Sequence, residues 1–172
     1  MLFNLNITDT VLINFLLMII WHLTVLLICM NLDASFFAPE KPCYAQKKWE
    51  KGGNFYVKKL KIKKWKDYLP QYVAKGGFSK RHFDSISSRS KKYITAFIAE
   101  TCRAEWNHLM CCMYWVISFL VNSFYYAIIF SIIPIIVNIP FIAIQRYNRI
   151  RLEKINKKYA LTGIVKTEKI SI

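Results

Sequence analysis

The stretch Arg103-Ala104-Glu105-Trp106-Asn107-His108 sets a carboxylate and an imidazole three positions apart, where a long uncharged run begins. Side chains three apart on a helix can touch. A carboxylate beside an imidazole fixes its tautomer and raises its basicity, as a general base requires. The plainer reading is a charged helix start with Trp106 as an interface anchor. Glu-x-x-His also supplies two ligands in di-iron bundles, but those need a second such pair and further carboxylates. With three histidines and one such pair in the chain, no metal site is expected.

A second cluster is Gln145-Arg146-Tyr147-Asn148-Arg149-Ile150-Arg151. Three guanidinium forks suit phosphate or carboxylate. Ordinary positive anchoring beside a membrane explains the arginines, but it does not require the Gln and Asn among them. Trp65-Lys66 is a third and weaker candidate. The chain has no Gly-rich phosphate loop, no Gly-x-Ser-x-Gly and no Cys-x-x-Cys, and His82 with Asp84 lacks the His-x-x-x-x-Asp spacing of glycerolipid acyltransferases.

The elements that must position these residues are written in the charge. Residues 1–32 hold no Lys or Arg, residues 33–105 hold 17 of the 25 basic residues, and residues 146–172 hold the other 8. Residues 106–145 carry no formal charge. A bilayer core of about 30 Å takes roughly 20 helical residues. Residues 10–32 suffice for one span, and 106–145 for two joined by a turn. The expected fold is therefore an all-α integral membrane protein, a single membrane domain over 1–172. It has an N-terminal span at 10–32, a basic cytoplasmic interfacial segment at 33–105, hairpin spans at 106–124 and 126–145, and a cytoplasmic tail at 146–172. A cleaved signal peptide would want a basic start and a small-residue cleavage site, and neither is present. Placing the basic segments inside, as Lys and Arg bias requires, puts the N-terminus on the outer side of the membrane. The net charge of +15 then points to anionic lipid and phosphorylated substrates, and not to nucleic acid.

Smaller features refine this outline. His22, near mid-depth, is expected to be neutral and bonded to a neighbouring helix. Residues 57–67 mix lysines with Val57, Leu60, Ile62 and Trp65, so apolar groups can dip into the interface beneath charged heads. Residues 70–90 read as a loop or lid. From Tyr93 a helix continues without a breaker into the second span, with Ile94, Phe97, Ile98, Thr101, Cys102, Glu105 and His108 on one face. The hairpin turn is expected at Asn122–Tyr126. Pro134 and Pro140 would kink the last span; a re-entrant segment broken at Pro134 is the alternative. Five cysteines, with the cytosol reducing, are expected to form no structural disulfide.

Taken together, Glu50…Gly53-x-Phe55, Lys64-Trp65-Lys66, Arg103-Ala104-Glu105-x-x-His108, and Asn138-Ile139-Pro140 leading into Gln145-Arg146-Tyr147-Asn148-Arg149-x-Arg151-Leu152 resemble the glycosyl-4,4′-diaponeurosporenoate acyltransferases of staphyloxanthin-type carotenoid synthesis. The resemblance runs from about Trp21 to Leu152 and diverges over 67–100. It implies an enzyme that esterifies a sugar hydroxyl of a glycosylated carotenoid or similar glycolipid with a fatty acyl chain. No cofactor is expected; acyl-CoA or an acyl-carrier protein would be co-substrate. Chemistry then assigns His108, oriented by Glu105, as the base. Arg103, Arg146, Arg149 and Arg151, with Gln145, Asn148, Trp65 and Lys66, would bind substrate. A homo-oligomer or a pathway complex would suit so small a bundle. Two rivals stay open: a non-enzymatic basic adaptor that binds anionic lipid or an acidic partner, and another lipid-modifying transferase.

Overall fold

A computed structural model describes residues 6–70 and 91–168, with side chains over 6–70 and 93–158. The described residues are helical, without strands. They pack as two compact units: Met1–Phe36 with Arg103–Ala143, and Phe37–Cys102 with Ile144–Ile172. The division follows the charge. Of the 25 basic residues only Arg103 falls in the first unit.

In the first unit, α1 (Ile7–Asn31) opens on Asn6, whose side chain accepts from the Asp9 amide at 2.8 Å. Its 25 residues extend about 37 Å, enough to cross a bilayer. Thr10, Asn14, Val25 and Cys29 are its buried residues, a narrow stripe. Leu12, Leu16, Ile19, Leu23 and Leu27 point outward. Only 11% of its apolar window is buried, where the core helix of a soluble protein would be mostly covered. The polar groups do the opposite: Thr10, Asn14, Ser118, Ser131 and Asn138 are buried. Apolar outside and polar inside is the arrangement a lipid solvent selects.

The second apolar segment departs from expectation. The helix that begins in the basic region, α4 (Lys91–Cys112), does continue past Trp106, but it stops at Cys112. A turn at Met113-Tyr114 follows, and α5 (Trp115–Val121) adds only 7 residues, about 10 Å. No single helix spans 106–124. The reason is tertiary: Tyr114 is fully buried, and its hydroxyl donates to the Asn14 carbonyl at 3.0 Å, which holds the turn against α1. Asn14 and Asn122 exchange side-chain amide bonds at 2.8 Å in each direction. The chain reverses at Asn122-Ser123, inside the expected window.

From there α6 (Phe124–Glu168) runs for 45 residues through Pro134 and Pro140 without interruption, so no re-entrant break occurs at Pro134. It also carries the basic tail as the same helix. Among the described residues two helices, Ile7–Asn31 and Phe124–Lys158, are long and apolar enough to cross a membrane.

The second unit is built on α4 before Arg103 and on α6 after Ala143. Ile94, Ile98 and Leu152 form its core with Phe97 and Ile155, as the helical face predicted. A chain of short elements packs here: a 3-10 turn (Lys48–Gly53), α2 (Asn54–Lys58) and α3 (Ile62–Trp65). Gly53 has φ +88°, a left-handed conformation that favours glycine, while the nearest atom to a Cβ there, Ile150 Cγ2 at 3.4 Å, would be in ordinary contact. Lys51 (φ 48°) and Lys61 (φ 50°) are left-handed although neither is glycine, at a cost of about 1–2 kcal/mol each. Residues 71–90, most of the expected lid, lie outside the described residues.

Candidate active site

The first unit brings two histidines to one amide. Asn138 is buried on α6, and its Nδ2 donates to the Pro134 carbonyl at 2.8 Å. A carbonyl can only accept, so this bond fixes which end of the amide is oxygen. Asn138 Oδ1 then faces His108 Nδ1 at 2.7 Å, which makes Nδ1 the protonated ring nitrogen. In a neutral imidazole the lone pair therefore sits on Nε2. Phe141 stacks on the ring at 4.9 Å between centroids, with 12° between planes. His22 Nδ1 donates to the Met18 carbonyl at 2.8 Å, and its Nε2 lies 3.5 Å from Asn138 Nδ2. The expected tie from His22 to a neighbouring helix is present.

The group that orients His108 is therefore Asn138, thirty positions along the chain, and not Glu105. Glu105 is nonetheless buried and not without a partner. Arg103 belongs to the same unit, and its carbonyl accepts from Cys29 Sγ at 3.7 Å. Asn107 holds a buried Oδ1 without a donor among the described residues, an acceptor that is costly until a donor reaches it.

The second unit holds the arginine cluster. Glu50 has no exposed surface, and four donors converge on it. They are Arg146 Nε at 2.8 Å, Arg146 Nη2 at 3.0 Å, the Tyr56 hydroxyl at 2.5 Å and the Lys47 amide at 2.5 Å. Burial alone would push this carboxyl up. The Arg146 guanidinium, the Tyr56 hydroxyl and the Lys47 amide outweigh it and hold the group below its ordinary value. Burial together with Glu50 pushes the Tyr56 phenol well up, so it stays a donor. Arg146 also donates to the Cys43 and Ala45 carbonyls, both at 3.3 Å.

Arg149 is 2% exposed, lies over the Tyr44 ring at 5.7 Å and donates to Cys102 Sγ at 3.6 Å. Arg151 is exposed and lies over the Tyr147 ring at 5.5 Å. Gln145 and Asn148 are half-buried. Trp65 donates to the Leu60 carbonyl at 2.8 Å, and the buried Lys66 ammonium pairs with Asp67 at 2.8 Å. Two of the three arginine forks are thus occupied by the fold itself, which spacing alone could not reveal.

Nothing in the local chemistry of Asn138, Glu50 or Tyr56 singles them out along the sequence. Asn138 and Glu50 stand inside the motifs of the resemblance, and Tyr56 beside one of them. Among the described residues no three His, Cys, Asp or Glu side chains gather as metal ligands.

No curated protein and no solved structure matches this chain. Its family does emerge. The stretch that matches runs from the Pro39–Glu50 loop to the end of the described side chains on α6, taking in both the Glu50–Arg146 clamp and the His108–Asn138 pair. Residues 39–158 fit the family model of glycosyl-4,4′-diaponeurosporenoate acyltransferase, and the chain belongs to that family of acyltransferases.

Proposed function

We propose that the protein transfers a fatty acyl group to a sugar hydroxyl of a glycosylated carotenoid or similar glycolipid, with His108 as general base. The observation that carries this is the fixed tautomer of His108, set by Asn138 through the Pro134 carbonyl. A hydroxyl of a lipid is a weak nucleophile until a base takes its proton. His108 Nε2 accepts that proton as the hydroxyl oxygen bonds to the acyl carbon. The thiolate of acyl-CoA or of an acyl-carrier protein then leaves and recovers the proton from the imidazolium. The open Asn107 Oδ1 supplies an acceptor for a second sugar hydroxyl. Arg103, in the same unit as His108, stabilises the developing oxyanion. Arg146 and Arg149 act on the fold.

The same reading places α1 and α6 across the cell membrane with the basic unit cytoplasmic and the N-terminus outside. The α4–α5 segment makes a third crossing, bent at Tyr114.

The test is mass spectrometry of lipids from cells that express the wild type or His108→Ala. The wild type should add a mass equal to one fatty acyl group to a glycolipid. The variant should insert normally and add none. Full acylation by His108→Ala would sink the assignment.

A further inference from the structure

Within the second unit, the segment 47–68 contains two acids, and the fold has engaged both. Glu50 is enclosed by Arg146, and Asp67 pairs with Lys66. Lys58, Lys59, Lys61, Lys63 and Lys64 remain exposed. No carboxylate in the segment is left to neutralise them. Three apolar or aromatic side chains stand out among these lysines: Trp49 at 51% exposure, Leu60 at 39% and Tyr68 at 87%. A surface meant only for water gains nothing from that interleaving.

The backbone adds a second, independent sign. Lys51 and Lys61 occupy left-handed positions where glycine or asparagine would be less strained. Side chains kept at a conformational cost point to a use for the side chain. Lys61 lies between the exposed Leu60 and α3, so its strained turn presents the lysines of 58–64 together with Leu60.

We infer that residues 49–68 form an interfacial platform that binds an anionic lipid surface, with the lysines on headgroup phosphates and Trp49, Leu60 and Tyr68 in the acyl boundary. Phosphate on a soluble ligand would match the lysines but leave the apolar side chains without a role. A bilayer surface matches both. The inference does not depend on the acyl-transfer reading, because it concerns residues outside the His108 site.

The test is hydrogen exchange of the full chain in nanodiscs of phosphatidylcholine, or of phosphatidylcholine with about a third phosphatidylglycerol. Amides of 57–66 should exchange about tenfold more slowly in the anionic discs, and about 0.5 M salt should remove most of the difference. The variant K58Q/K59Q/K63Q/K64Q should lose the protection, and the matching arginine variant should keep it. If the arginine variant failed as well, loss of local structure and not loss of charge would be the cause, which overturns the inference. Equal exchange in the two lipids overturns it too, as does equal protection by inorganic phosphate or coenzyme A in neutral discs. Because the readout is lipid contact, it can fail while His108 remains essential, or succeed if His108 proves dispensable.

Discussion

Asn138 carries an amide whose two ends are both in use, and that determines what His108 can do. Asn138→Leu removes the acceptor on Nδ1 and frees the ring to change tautomer. The expected outcome is a fall in kcat of about 10²-fold with KM little altered, measured with saturating acceptor in membranes. The same change made on His108→Ala should cost nothing more, since the two act as one unit. The Glu50–Arg146 pair belongs to stability instead. Arg146→Ala leaves a buried carboxylate with its main partner gone and should cost about 3–5 kcal/mol, read by thermal unfolding in detergent. Arg146→Lys should recover little, because a single ammonium cannot replace bonds from Nε and Nη2. The pH dependence has a definite sign. Glu50 is depressed in the folded state from an ordinary value of 4.5, so its stabilising effect is complete above that value. That effect fades as pH falls through the lower folded value. Unfolding midpoints taken between neutral and acid pH should show this slope in the wild type and lose it in Glu50→Gln.

At the scale of elements, α1 depends on a few polar atoms within an apolar rod. Asn14 meets Asn122 in a reciprocal pair and accepts from the Tyr114 hydroxyl at 3.2 Å. Asn14→Leu should therefore destabilise by about 1–3 kcal/mol, because the part-buried Asn122 Oδ1 loses the Asn14 Nδ2 donor. Tm in detergent checks this, and Leu12→Ala on the outward face serves as the neutral control. Much of this level was legible. The span at 10–32, the helical face from Ile94 onward and the turn near Asn122 follow from hydropathy and periodicity, which depend on neighbours along the chain. The stop at Cys112 was not legible. No glycine or proline marks it, and the bond that stabilises the turn comes from a residue 100 positions away. The alternative of a re-entrant break at Pro134 is what the structure removes: the helix continues through it, with Asn138 Nδ2 bonded to its carbonyl.

For the molecule as a whole, the two units and the two charge regimes coincide, which yields a topological prediction. Cys43 is the exposed thiol, while Cys29, Cys102, Cys111 and Cys112 are buried. A membrane-impermeant maleimide should therefore leave intact cells unlabelled and label Cys43 in inverted vesicles. Labelling of intact cells would reverse the proposed orientation. Membrane character and helical class were decided by the sequence alone, since both depend on composition within a window of about one bilayer thickness. So was the family, because its motifs persist as short local patterns. Pairing was decided only by tertiary structure. Sequence spacing favoured Glu105 for His108 and phosphate for Arg146, because residues three apart are neighbours on any helix and an arginine fork suits any anion. Packing assigned Asn138 to the first and Glu50 to the second, across thirty and ninety-six positions. Distances of that kind are closed by burial of side chains against one another, and no local pattern encodes them.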